Sequence, residues 1–175
     1  MKRFIQTKYI ILLFVCAHLI YLGMDFVIPV IQEGVSLPIF DFRMFRGYDL
    51  AYATTFVNEL SDKGKIAYLW IQLPLDFIYP LLVSTFFYLF FLQQTKNNKI
   101  ALIGYSSMIF DYLENILIIV ILTSTQLSAL IVGTASVVTI IKGVFYVINY
   151  GLTIFLLIRC RYKMGCPVYH QLKNK

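Results

Sequence analysis

Charge is what this chain has least of. Only 14% of its 175 residues are Asp, Glu, Lys or Arg, while 59% are hydrophobic; soluble domains average about 25% and about 45–50%. The few charges cluster between long apolar runs. A soluble core of this size cannot bury so much apolar surface, whereas a bilayer accepts it because apolar side chains can face lipid. One compact membrane domain over residues 1–175 is expected.

Cysteine is scarce as well. Cys16 lies inside an apolar run, and Cys160 and Cys166 follow the last one. No pair suggests a disulfide framework. Together with His170 the cysteines are too few for a structural zinc site, which takes four ligands. They read as reduced thiols on the cytoplasmic side, with palmitoylation of Cys160 or Cys166 as the sharper alternative. The sequence also lacks a Ser/His/Asp triad, an HExxH motif, a P-loop and a dinucleotide fingerprint. No cofactor and no metal are expected, and whether the protein is an enzyme stays open. The formal charge of +6 does not point to nucleic acid, because the basic residues sit at the ends of apolar runs, where membrane orientation is encoded.

A spanning helix needs about 20 mostly apolar residues. Four stretches qualify: about 9–31, 66–92, 100–122 and 129–158. The fold class expected is therefore all-α, a four-transmembrane-helix bundle. Met1-Lys2-Arg3 before the first run imitates a signal peptide. That run is too long, carries Asp25 and lacks a small-x-small cleavage site, so it reads as a retained signal anchor. Lys2, Arg3 and Lys8 precede span one, Lys96 and Lys99 separate spans two and three, and Arg159, Arg161, Lys163, Lys173 and Lys175 follow span four. These regions share one side of the membrane. The opposite side holds the loop 32–65, whose charges offset one another, and the uncharged turn 123–128. An N-in/C-in arrangement follows, with a cytoplasmic tail at 159–175. A bacterial plasma membrane is the expected location, with the endoplasmic reticulum as the eukaryotic counterpart.

The long outer loop has structure in its pattern. Tyr48, Tyr52, Thr55, Phe56, Glu59 and Leu60 recur at helical spacing, predicting a short amphipathic helix over about 49–60 that rests at the interface. Residues 61–64 should end it. Upstream, residues 38–47 read as an extended, aromatic-rich lid. No internal repeat is present.

The polar residues inside the spans carry the most information, since a central Asp or Lys costs about 2.5–3.5 kcal/mol on insertion scales and normally faces protein or water. Asp25 lies in the outer part of span one before Pro29, with His18 two helical steps deeper. Asp76 is about ten residues into span two, or about 15 Å at 1.5 Å per residue, near the middle of a 30 Å core. Asp111, Glu114 and Asn115 share one face of span three. Thr139, Lys142, Tyr146, Asn149 and Thr153 form a stripe on span four, and Gln72, Asp76 and Tyr79 one on span two. Such stripes are buried only if they face one another across a polar interior. Lys142 should pair with Asp111 or Glu114; the alternative to a polar cavity is that the polar residues, this pair included, act simply as interhelical glue. Four acids then face one lysine, an imbalance that calls for water, protonation or a bound cation. Aromatic residues make up 17% of the chain; Tyr21, Tyr79, Tyr112, Tyr146 and Tyr150 are placed to line the cavity, which suits an amphiphile with a cationic centre.

The four-span layout, Met24-Asp25 with Pro29 behind it, Asp76-Phe-Ile-Tyr-Pro80 and the basic Lys173-Asn-Lys175 tail resemble the EXPERA family, which includes the emopamil-binding protein and the sigma-2 receptor. The chain also resembles uncharacterised four-pass bacterial membrane proteins with an Asp-x-x-(Phe/Tyr)-Pro element in span two and an Asp-x-x-Glu-Asn element in span three. The EXPERA resemblance implies a lipid-accessible cavity in which Asp25 and Asp76 are paired acids that hold an amine or stabilise a carbocation.

The expected function is binding, or binding and isomerisation, of a small lipid or cationic amphiphile. Its ligand-binding residues would be His18, Asp25, Asp76, Tyr79, Asp111, Glu114, Asn115, Lys142, Tyr146 and Asn149. Two other classes fit the same residues. One is a small proton-linked transporter acting as a homo-oligomer, with Asp76, Asp111, Glu114 and Lys142 as its relay. The other is a non-catalytic subunit whose charges pair with a partner chain.

Overall fold

The computed structural model describes residues 7–162. Among these the chain is all-α, and four helices are long and apolar enough to cross a membrane: Thr7–Ile31, Asp62–Thr95, Asn98–Thr123 and Ala129–Cys160. It is a multi-pass integral membrane protein built as a four-helix bundle. Span one packs along span two, spans three and four pack along each other, and span two bridges the pairs. Lys2, Arg3, Lys163, Cys166, His170, Lys173 and Lys175, used above for orientation and thiol chemistry, lie outside the described residues. Cys160 is disulfide-bonded, which corrects the expectation of a reduced or acylated thiol there. A disulfide depends on Cα atoms approaching within about 7 Å, and sequence spacing carries no such information. Cys16 is a free thiol.

Proline decides where the spans bend. The continuous helix of span one stops at Asp25, and a separate turn, Ile28–Ile31, carries Pro29. A proline ring clashes with the carbonyl four residues earlier, which here belongs to Asp25. In span two, a wide π-type turn at Tyr68–Gln72 precedes Pro74, and Pro80 sits inside the helix Leu73–Thr95. π-bulges of this kind are frequent at functional sites.

The short helix between spans one and two lies where the sequence reading put it, and one boundary, the start of span two, differs. The outer helix, Leu50–Glu59, is capped by Asp49, whose carboxylate accepts from the Tyr52 N–H at 2.8 Å. Ser61 does not end it. The Ser61 hydroxyl instead accepts from the Gly64 N–H and caps the start of span two at Asp62, so the outer loop is shorter than 32–65. The outer helix also does more than rest on an interface. Its Phe56 is fully buried, 4.8 Å from the Phe40 ring and 6.2 Å from that of Tyr68.

The apolar core falls into two parts. One, at the outer-loop end, gathers Ile31, Phe40, Phe56, Tyr68, Ile118 and Val132. The other gathers Ile10, Val83, Phe87, Phe91, Ala101 and Leu156. The polar stripes lie between the two.

Candidate functional site

Lys142 is the centre of the polar layer. It is 4% exposed, and its ammonium meets three carboxylates: Glu114 in direct contact, Asp41 at 2.8 Å and Asp111 at 3.7 Å. Pairing with Asp111 or Glu114 was expected. Asp41 was not. It comes from the outer loop, where residues 38–47 are not extended as predicted: Phe40–Arg43 form a 3-10 turn that drives Ile39 and Phe40 into the core and aims Asp41 inward. Burying two large apolar side chains offsets the cost of bringing a carboxylate with them. The one signal in the sequence was an acid set between large apolar residues, Ile39-Phe40-Asp41-Phe42.

The lid that carries Asp41 is fixed to span four by close backbone approaches. Gly47 has φ +66°, and a Cβ there would lie 2.6 Å from the Ser136 hydroxyl. The same hydroxyl accepts from the Tyr48 N–H at 2.8 Å. At Gly143 a Cβ would meet the Met44 carbonyl oxygen at 3.0 Å. The Tyr48 hydroxyl reaches Thr139, which donates to Glu114 Oε1. Burial, and then the Glu114 and Asp41 carboxylates, hold the Tyr48 phenol well above its ordinary range, so it remains a neutral donor. On the other side of the cluster, Tyr146 donates to Asp111 Oδ2 at 2.6 Å.

Asn115 has a different task. Pro80 has no N–H to give the Asp76 carbonyl, four residues before it. The Asn115 side-chain N–H takes that place at 2.9 Å, and Tyr112 donates to the neighbouring Phe77 carbonyl at 3.0 Å. Span three thus repairs the backbone that proline opens in span two. Asn149 donates to Ser107 at 3.2 Å, and Ser107 lies 3.3 Å from Ser84, so this cluster ties spans two, three and four together.

A cavity of about 310 Å³ lies beside the cluster. Of the residues read from sequence as ligand-binding, His18, Asp25, Asp76, Tyr79, Asp111, Lys142 and Tyr146 line it. Glu114, Asn115 and Asn149 do not; they are fully buried behind it, held by the bonds just described. Tyr21 and Tyr150 line the cavity as expected, whereas Tyr112 is occupied with the backbone of span two. Asp25 lies at the rim and is exposed, because the proline break ends the helix there. Asp41 replaces it among the interior acids. The ratio read from sequence survives with different members: four interior acids, Asp41, Asp76, Asp111 and Glu114, stand beside one lysine, which pairs with three of them.

Two buried groups on the cavity wall stand apart. Asp76 is 5% exposed, and its carboxylate has neither a hydrogen bond nor an ion pair among the described residues. Gln72, 2% exposed and one turn earlier, has its Oε1 buried without a partner. Both are acceptors. A buried acceptor normally finds a donor, and for the Gln72 Oε1 none is present among the described residues. Opposite them runs a chain of hydroxyls. The His18 Nδ1–H donates to the Phe14 carbonyl at 2.8 Å, leaving Nε2 to face the Tyr150 hydroxyl at 3.4 Å, which lies 3.3 Å from that of Tyr79. Among the described residues, no three His, Cys, Asp or Glu side chains are grouped to hold a metal ion.

The fold and site define a class: a four-span helical membrane protein with a buried ionic centre under a lid from the loop between spans one and two. No protein-family model, curated protein or solved structure matches the chain.

Proposed function

We propose that this protein binds a small cationic amphiphile, with the ligand's N–H group on Asp76 and Gln72. The observation that carries this reading is the Gln72 Oε1, buried without a partner on the cavity wall, one turn from the Asp76 carboxylate, which has no hydrogen bond or ion pair among the described residues. A primary amine supplies both what they lack, hydrogen-bond donors, and what the acid-rich interior lacks, positive charge. The rings of Tyr21, Tyr79 and Tyr146 follow one another, the first pair tilted at 5.6 Å and the second stacked at 6.2 Å, and give a cation a favourable wall. Asp25 at the mouth and Asp76 at depth are then the paired acids that the EXPERA-like pattern implies. The ligand enters from the bilayer beside span one. The outer loop faces the exterior and both termini the cytoplasm, as the Lys and Arg distribution argues; a cysteine placed at the exposed Asn58 and labelled only from the cytoplasmic side would overturn that orientation.

The test uses the protein in lipid nanodiscs with butylamine and octylamine. Both should raise the thermal midpoint of the wild type and not that of Asp76→Asn, with Gln72→Leu in between. Equal stabilisation of all three proteins would remove the proposal.

A second reading is favoured by one observation, the His18–Tyr150–Tyr79 chain ending at the cavity. It can pass a proton, and a proton-linked transporter would use it. Amine flux driven by a pH gradient in proteoliposomes, lost in Tyr150→Phe, would favour this reading over simple binding.

A further inference from the structure

A second cavity, of about 590 Å³, lies toward the opposite end of the bundle from the lid. Its walls come from Ile10 and Phe14 of span one, Phe86 and Phe90 of span two, and Ile154 and Leu157 of span four. They are almost wholly apolar. The polar layer uses none of these residues. Ile154 and Leu157 are about half exposed, so the cavity is a groove facing the surrounding bilayer.

The groove and the acidic cavity meet. Tyr150 lines both. The ring of Phe14, in the groove, lies 4.0 Å from the ring of His18, in the cavity. The two spaces therefore run end to end beside spans one and four, with His18 and Tyr150 as the waist. From Lys142 to Leu157, helix geometry gives about 22 Å of length at 1.5 Å per residue. That is longer than one leaflet of a hydrocarbon core about 30 Å thick. An acidic, acceptor-rich end joined to an apolar run of leaflet length matches one kind of molecule.

We infer that the groove receives the alkyl tail of a single-chain amine whose head group occupies the acidic cavity, so that the ligand class is a long-chain amine rather than a compact cation. This rests on the amine-binding reading above. The tail gains little free energy by leaving lipid for an apolar groove, since lipid chains are equally apolar. The groove instead fixes the direction of the chain, and with it the register of the head on Asp76 and Gln72. The waist sets the selectivity. His18 Nε2 and the Tyr150 hydroxyl lie 3.4 Å apart there, so the chain passes beside this pair, and a rigid, wide ring system would have to displace it.

The experiment uses a primary alkylamine carrying a diazirine at the far end of its chain, photolysed with the protein in nanodiscs and mapped by mass spectrometry. Labelling should fall on Ile10, Phe86, Phe90 and Leu157, be competed by unlabelled dodecylamine, and be lost in Asp76→Asn. Thr153→Trp, which fills the groove, should abolish this labelling while butylamine still stabilises the variant. Groove labelling equal in wild type and Asp76→Asn would mean bulk lipid occupies it, and would overturn the inference. So would Asp76-dependent labelling confined to the lid or the outer surface. In both cases butylamine stabilisation that depends on Asp76 would leave the binding reading standing. Absence of any Asp76-dependent effect from either amine would remove both.

Discussion

The two ends of the polar layer treat buried charge in opposite ways. Around Lys142 almost every valence is used: three carboxylates converge on one ammonium, and Thr139, Tyr146 and Tyr48 support them. At Asp76, also buried, the backbone is well supported and the carboxylate has no partner among the described residues. One bundle thus contains an ionic cluster that closes on itself and an acid that does not. Burial alone therefore does not mark a ligand site in a membrane protein. What separates glue from site is whether the neighbouring chain completes the hydrogen bonds.

The sharpest way to break the contrast is to open the closed end. Lys142→Met leaves Asp41, Asp111 and Glu114 without their cation, and removing one partner of a buried ion pair costs about 3–5 kcal/mol. We expect the largest loss of thermal stability here, partly recovered in Lys142→Met/Glu114→Gln. Purely additive effects would mean the pair is not coupled.

Next in size is the backbone repair at Asp76. Asn115→Ala should cost about 1–3 kcal/mol by leaving a buried carbonyl without a donor. Pro80→Ala restores an N–H at that position, so Asn115→Ala should cost less in its presence. An unchanged cost would show that Asn115 acts elsewhere.

The lid offers a smaller handle. Gly47→Ala combines a positive φ with a Cβ against Ser136 and should cost about 1–3 kcal/mol. It should also raise solvent exchange at Tyr48 and Asp41, measured by hydrogen–deuterium exchange. No change around Asp41 would mean the lid is held by Ile39 and Phe40 alone.

The smallest effect is at the surface. The Ser36 N–H and hydroxyl both donate to Glu59 Oε2 at 2.7 Å and hold its carboxyl below the usual range. A depressed carboxyl contributes stability above its unfolded value, and that contribution is lost as pH falls through the folded value. Stability between pH 5 and pH 3 should therefore fall slightly more for wild type than for Glu59→Gln. Identical slopes would show that this tether is too exposed to matter.

The sequence revealed spans and stripes because a bilayer imposes both: about 20 apolar residues per crossing, and one face for whatever is polar. Thr139, Lys142, Asn149 and Thr153 are buried on one side of span four as their spacing predicts. Asp41 was hidden because it reaches Lys142 across 101 positions from a loop with no periodicity. Asp25, placed in the outer part of span one, was counted among the interior acids, but the helix ends at that residue before Pro29 and leaves it exposed at the rim. Asn115 and Glu114 were found as polar residues but not told apart from cavity residues, since helical spacing gives the face and not the neighbour.

The central claim is that Asp76 faces a ligand and not the fold. The most direct measurement is the thermal stability of Asp76→Asn, with and without octylamine, beside wild type. Asparagine keeps the shape and removes the unpaired charge, so the empty variant should be as stable as wild type or more stable, and octylamine should no longer stabilise it. An Asp76→Asn protein that unfolds readily, yet whose folded fraction is stabilised by octylamine as wild type is, would make Asp76 a structural residue and contradict the account.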